Sequence, residues 1–358
     1  MHIRSTKTIM CIYILNLSRC ARSVAYSQGF AKLYQVFILP DLYEVNDPSL
    51  EDIRYLLAPS FTPSILKSLP YGQTLSYDLQ KTEYLPGFIG LQNIKFNSHM
   101  NVILQALLHV LPLRDYFINA SQSNKFENRS ELVKRLGMLY RKYWNPRNFK
   151  AQVSPHEFLQ EVSAASAKKF RITEAGDPLD FLNWLLNALH RDLGGSKKPR
   201  SSASGCFSIG VKLIEDFLDR TGVIYSAFQG TLQVQDQAVL IKNSDTYAKP
   251  RFDLDREIKS TNSPFLLLSI DLPPPPVFQD AIEKNIIPQV PISAVLAKYD
   301  GKTSQEIPGM GLRRFKVTDL PPLLILHFKR FTANNFVEEK NPTIVNYPLR
   351  GVDLKDCR

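Results

Sequence analysis

Apolar residues at helical spacing fill the first half of this chain and short strand-like runs fill the second, and few folds accommodate that order. Met100, Ile103, Leu104, Leu107 and Leu108 fall on one helical face, which predicts a helix over about 99–111, capped by Asn97 or Ser98 and ended by Pro112. A second amphipathic helix is predicted over 129–144, with Leu132, Leu136, Leu139 and Tyr140 marking its face. Ser154-Pro155-His156-Glu157 predicts a third, with Ser154 as N-cap and Pro155 at the first helical position. Residues 181–189 predict a fourth. Residues 47–52 also carry helix-start chemistry, with Ser49 as the cap and acids in the first turn. After Leu193, Gly194-Gly195-Ser196 and Ser201-Ser202-Ala203-Ser204-Gly205 read as a flexible linker. From Val223 onward the chain is strand-like and proline-rich, and 266–272 and 322–328 are short apolar runs bounded by turn residues, as buried strands are. Helices first and strands later imply the α+β class.

The 358 residues suffice for one large domain or two ordinary ones, and an apolar share of 44% against 22% charged places the chain among globular proteins. A formal charge of +10 suits a protein that works near nucleic acid or acidic partners. The cations are dispersed, as at Arg141-Lys142, Lys168-Lys169 and Lys197-Lys198-Pro199-Arg200, so they outline no binding groove. RNA contact is therefore expected to be indirect. Cys11, Cys20, Cys206 and Cys357 form no Cys-x-x-Cys pair. Such spacing argues against a structural zinc site and against a disulfide-stapled secreted fold, so neither metal nor cofactor is expected. Residues 9–17 and Ser23-Val24-Ala25 outline a weak signal peptide. No apolar run approaches the ~18–20 residues of a membrane span, and no membrane partner is expected.

Residues 90–105 read Gly-Leu-Gln-Asn-Ile-Lys-Phe-Asn-Ser-His-Met-Asn-Val-Ile-Leu-Gln. This segment resembles the nucleophile box of the ubiquitin-specific proteases, Gly-Leu-x-Asn-Leu-Gly-Asn-Thr-Cys-Tyr-x-Asn-Ser-x-Leu-Gln. Gly90, Leu91, Asn93, Asn101, Leu104 and Gln105 keep the frame, and Ser98 stands where the cysteine would be. The plainer reading of the same residues is a capped helix with an apolar face. Two further segments resemble the family in the same order. Asp177, Phe181, Leu182 and His190 match its Gln-Asp-Ala-x-Glu-Phe-Leu…Leu-His box, with Gly176 in place of the glutamine and Asp180 in place of the glutamate. Residues 321–331, Pro-Pro-Leu-Leu-Ile-Leu-His-Phe-Lys-Arg-Phe, resemble its Pro-x-x-Leu-x-Leu-His-Leu-Lys-Arg-Phe strand, in which His327 reads as a packed strand histidine.

The resemblance implies a papain-like thumb, palm and fingers, with the helices of about 85–193 as thumb and about 223–356 as palm and fingers, C-terminally truncated. It also implies a degenerate active site. In this family the cysteine sits at a helix N-terminus, whose dipole stabilises a thiolate, and Asn93 matches the asparagine that donates to the oxyanion. A hydroxyl at Ser98 is far harder to ionise and needs a positioned base. His99 is its sequence neighbour, and successive side chains diverge on a helix. The Gly-x-Ser-x-Gly elbow of serine hydrolases is absent. The family's histidine box has no match, since all six histidines lie at or before 327. Asn93 and Ser98 are thus expected to be relics, with no functional catalytic residue.

Stretches at 39–45, 49–53, 84–95, 144–150, 153–157, 286–291 and 340–346 resemble one subfamily, splicing factors of the tri-snRNP that also lack the catalytic cysteine. The subfamily implies a nuclear, non-catalytic scaffold for tri-snRNP assembly and pre-mRNA splicing, with tri-snRNP proteins as partners. An active ubiquitin thioesterase and a weak ubiquitin-binding module remain the alternatives. The expected organisation is an unassigned segment 1–30, a remnant of a ubiquitin-hydrolase-type zinc finger and linker at 31–60, and a partial protease-like domain at 85–358. Residues 194–222 would be a flexible insertion within that domain, and 199–222 match nothing in the family.

Overall fold

A computed structural model describes residues 12–15, 35–38, 43–44, 55, 59–68, 75–122, 125–148, 150–195, 222–237, 240–242, 251–253, 258–274, 287–307, 311–333, 338–351 and 354. The helix start at 47–52, most of the 194–222 insertion and all four cysteines lie outside the described residues. The chain divides into two compact units, 1–183 and 184–358.

The first unit opens with a small antiparallel sheet of β1 (Ile12–Leu15), β2 (Gln35–Ile38) and β3 (Tyr43–Glu44), in the order β1-β2-β3. The apolar run at 9–17 thus supplies a strand that pairs Tyr13 with Phe37. A short helix α1 (Pro63–Ser68) and the ladder of β4 (Ser76–Tyr77) with β5 (Glu83–Tyr84) follow. Next comes β6 (Gly90–Leu91), and then α2 (Ser98–Leu108), α3 (Leu111–Gln122) and α4 (Glu131–Tyr143). Strand β7 (Gln152–Val153) pairs in parallel with β6, and α5 (His156–Ala165) follows it. Helix α6 (Pro178–Asp192) crosses the unit boundary.

The predicted helices are present, with three corrections at their ends. Helix α2 stops at Leu108, before Pro112, which instead lies in the first turn of α3, where a missing N–H costs nothing. Ser154 is exposed, and the N-cap of α5 is Pro155, whose carbonyl accepts from Leu159. Asn97 occupies the α2 cap position but makes no side-chain cap bond. Ser130 does cap α4, accepting from the Val133 N–H at 3.4 Å.

Buried faces of α2, α3, α4 and α5 form the first unit's core, including Met100, Leu104, Leu108, Phe117, Leu136, Phe158 and Val162. Phe117 stacks on Tyr140 at 5.1 Å and 4°. Two donors at the end of α4 serve the last carbonyls of α2: Tyr140 Oη donates to Leu107 O at 2.8 Å and Trp144 Nε1 to Leu108 O at 3.0 Å. Gly87 makes room for that indole. Its φ is +82°, and a Cβ there would lie 2.3 Å from the Trp144 ring.

The second unit begins its described part, after α6, with a helix rather than a strand: α7 (Val223–Phe228) buries Val223, Ile224, Ala227 and Phe228. Strand-rich structure starts with β8 (Gly230–Gln237). It continues through β9 (Leu240–Lys242), β10 (Arg251–Asp253), β11 (Lys259–Phe265), β12 (Leu268–Asp271) and β13 (Gln289–Pro291). After a short helix α8 (Ile292–Leu296) come β14 (Asp300–Ile307), β15 (Gly311–Asp319) and β16 (Leu326–Lys329). The last elements are β17 (Phe331–Ala333), β18 (Glu338–Lys340) and β19 (Ile344–Asn346). An antiparallel sheet in the order β11-β8-β15-β14 dominates, and β12 pairs in parallel with β16. The two predicted buried runs are therefore neighbours, placing Leu268 and Ile270 beside Leu326 and Phe328 in one cluster with Val295, Leu296, Tyr299 and Val317. Lys298 and Lys329 clamp Asp271 at 2.6 and 3.0 Å, which lowers its carboxyl pKa even though burial alone pushes it up.

Helix α5 ends in a Schellman turn built without glycine. The Lys168 N–H donates to Ser163 O at 2.7 Å and the Ala167 N–H to Ala164 O at 3.2 Å. Ala167 and Lys168 therefore hold φ of +50° and +65°. Because a Cβ is disfavoured there, Ala167→Gly is expected to raise stability by about 0.5–1 kcal/mol. The urea midpoint should move up, and a downward shift would show that the turn carries no strain.

Candidate functional site

The candidate site lies in the first unit, where the chain leaves β6 and enters α2. Strand β6 is fixed by β7, and the Gln92 N–H donates to Val153 O at 2.9 Å. The loop 92–97 that follows is organised by one buried side chain. Asn97 is fully buried, and its Oδ1 accepts from the N–H groups of Ile94 at 2.7 Å and Lys95 at 3.3 Å. Its Nδ2 donates to Gln92 O at 3.3 Å and to Asn101 Oδ1 at 3.0 Å. Asn101, also buried, returns Nδ2 to the carbonyls of Leu91 and Gln92 at 3.4 and 3.2 Å. Two carboxamides one helical turn apart thus satisfy the loop's backbone from inside. Asn97 leaves the cap role vacant because its carboxamide is spent on the loop.

The two residues that the sequence singles out sit at the margins of this network. Asn93 and Ser98 are both exposed, and neither side chain makes a hydrogen bond among the described residues. Ser98 is the first residue of α2, so its hydroxyl lies at the positive end of the helix dipole. No imidazole or carboxylate engages it among the described residues. His99 turns the other way. It is buried, its Nδ1 lies 3.1 Å from Phe96 O, and a carbonyl partner requires that nitrogen to carry the proton. Burial lowers the His99 pKa, against the opposing pull of the Phe96 carbonyl and Asp177.

What the sequence did not flag is the fit between His99 and Gly176. A Cβ at Gly176 would lie 3.0 Å from His99 Nε2, so the buried imidazole fills the space a larger residue would need. The segment 169–177 is held against the loop by the Phe96 N–H, which donates to Ile172 O at 3.0 Å. The signal available was that positions 99 and 176 both depart from the resembled pattern. Asn97 was legible only as a cap residue, because its partners are set by the folded loop.

Chemically the arrangement offers an exposed hydroxyl at the first residue of α2, with no activating partner among the described residues. Among the described residues no group of three metal-ligating side chains occurs, and no helix is long and apolar enough to cross a membrane. Removing the organising carboxamide should matter far more than removing the hydroxyl. Asn97→Ala is expected to cost about 2–3 kcal/mol by orphaning two amides and Asn101, while Ser98→Ala should stay within ~0.5 kcal/mol. Urea unfolding of both variants checks this, and equal effects would refute the network's role.

The family model described as ubiquitin carboxyl-terminal hydrolase matches residues 89–358. The chain is 41% identical over 318 residues to "Probable mRNA-splicing protein ubp10" of Schizosaccharomyces pombe, covering 89% of this chain and 59% of that protein. It is 40% identical over 374 residues to "Ubiquitin carboxyl-terminal hydrolase 39" of Homo sapiens, covering 99% of this chain and 62% of that one. It thus spans about three fifths of the length of these relatives. The solved structure "Crystal structure of an essential yeast splicing factor" shares the fold, with a TM-score of 0.60 at 24% identity, covering 88% of this chain and 66% of that one. The mixed helix-and-sheet fold, the three motif segments in order and the match over 89–358 agree: the chain belongs to the ubiquitin carboxyl-terminal hydrolase family.

Proposed function

We propose that this protein is a non-catalytic, deubiquitinase-like scaffold that acts in the nucleus in tri-snRNP assembly and pre-mRNA splicing. The observation that carries the reading is the 41% identity to a relative whose name assigns it to mRNA splicing. The local geometry favours a scaffold over an enzyme. The nucleophile position is Ser98, exposed and without a base among the described residues, and the neighbouring His99 is committed to the Phe96 carbonyl. Acyl transfer at this position needs a deprotonated nucleophile and a positioned base, and among the described residues no base engages Ser98.

The second reading, a ubiquitin thioesterase, draws on the family and on the name of the human relative. It is separated from the first by turnover. Neither the protein nor Ser98→Cys is expected to release fluorophore from a ubiquitin C-terminal fluorogenic substrate above the no-enzyme rate. A new thiol would gain from the helix N-terminus but would still meet no base among the described residues. Turnover by either form would restore the enzyme reading.

The scaffold reading has its own test. Immobilised protein in nuclear extract is expected to retain tri-snRNP proteins. Retention should persist at moderate salt, because contacts through protein surfaces do not collapse with salt as counterion-release binding to nucleic acid does. Recovery of no tri-snRNP protein, or loss of recovery with a modest rise in salt, would count against scaffolding by protein contacts.

A further inference from the structure

Strand β15 in the second unit alternates two kinds of side chain. Phe315 and Val317 turn inward to the core cluster, with Leu232 of the neighbouring β8 beside them. Arg314 and Lys316 therefore stand on the opposite face of the sheet, since successive strand residues point to opposite sides. Their partners on β8 are Gln235 and Gln233, whose carboxamides lie 3.5 Å apart on that same polar face. Arg313, on the other face, is paired bidentately with Asp236. Arg314 and Lys316 are half-buried, and their side chains make no ion pair or hydrogen bond among the described residues.

On its other side Arg314 faces Ser304. The two are direct partners in the β14–β15 ladder, and such partners hold their Cβ atoms about 4.5–5.5 Å apart on one face. Ser304 is exposed, and its hydroxyl has no partner among the described residues. The adjacent hydroxyl differs: Thr303 donates Oγ1 to Asp300 Oδ2 at 2.9 Å. Nor do the acids of this face engage the cations. Asp300, opposite Lys316, is spent on Thr303 and on the N–H groups of Lys302 and Thr303. Glu306, diagonal to Arg314, makes no ion pair with it. Strand β14 is an outer strand of its sheet, so one side of its backbone is open to an enzyme that binds extended peptide.

We propose that Ser304 is a phosphorylation site, modified by a protein kinase with ATP, and that Arg314 and Lys316 receive the phosphate. Ser304 Oγ attacks the γ-phosphorus, the bond to the β-phosphate oxygen breaks, ADP leaves, and the hydroxyl proton passes to the base of the kinase. The product carries close to two negative charges and three acceptor oxygens, which suit a guanidinium fork and a neighbouring ammonium. Side-chain bonds then join the edge strand β14 to β15 in addition to the backbone ladder. Nothing in the splicing reading is needed for this site.

To test this, the full chain is incubated with nuclear extract and ATP, and its tryptic peptide 303–313 is sequenced by tandem mass spectrometry. Phosphate is expected on Ser304 and not on Thr303. An unmodified peptide, or phosphate on Thr303 alone, would overturn the assignment. The full chain with phosphoserine installed at 304 during translation is then titrated by phosphorus NMR. The second ionisation of the phosphate is expected at about pH 5.5 rather than the usual ~6, because neighbouring cations favour the dianion. Arg314→Gln should move it back toward ~6, and Lys316→Gln supplies the same comparison if the first variant does not fold. An ordinary value in the unsubstituted phosphoprotein, or no response to loss of either cation, would show that they do not receive the phosphate and would sink the proposal.

Discussion

A helix whose C-terminal end is buried must find partners for the carbonyls it cannot bond within itself, and the first unit is arranged around meeting that demand for α2. Tyr140 and Trp144 reach from α4 to the carbonyls of Leu107 and Leu108. These two bonds fix the depth and rotation of α2 against α4. The stacking of Phe117 on Tyr140 then brings α3 into the same core. At the other end, Asn97 and Asn101 join the helix to the strand pair β6–β7. The loop 92–97 that leads into Ser98 is therefore suspended between two anchored elements.

That suspension gives the protease-like frame around Ser98 a structural reason to persist. Gly90, Leu91, Asn101, Leu104 and Gln105 keep the resembled pattern, and the structure gives structural work to most of them. Leu104 is core, Asn101 ties the loop, and β6 pairs with β7. The departures at 99 and 176 are likewise matched to one another by packing. The shape of the site is held by residues other than those that would do chemistry.

How far the sequence could be read follows the same division. The α2 and α4 faces were legible because a 3.6-residue period survives any tertiary context, and the strands near 268 and 326 because short apolar runs between turn residues admit few alternatives. Helix ends were not. Asn97, Ser154 and Pro112 have residue types suited to more than one end position, and tertiary hydrogen bonds decided among them. Residues 223–228 looked like the start of the strand region and form a helix, because Val and Ile serve a buried helical turn as well as a strand. The 144–150 stretch carried the subfamily resemblance, and its leading residues are interior: Trp144, Asn145 and Asn148 are buried. The 286–291 and 340–346 stretches meet as β13 and β19, with Ile344 half-exposed on the outside. These two segments pack one face on the second unit's core, through Val290, Val345 and the buried Thr343, so the resemblance encodes packing there as well.

Gly87 shows how narrowly this arrangement is poised. Any side chain there would face two independent objections, a left-handed backbone and an indole already in its place. The indole could yield only by releasing the Leu108 carbonyl and moving beside His109 and Tyr143, which it touches edge-on. A lesion at position 87 would therefore be expressed far from itself in sequence, as a frayed helix end. The glycine is in effect a long-range determinant of the thumb, although it makes no side-chain contact of its own.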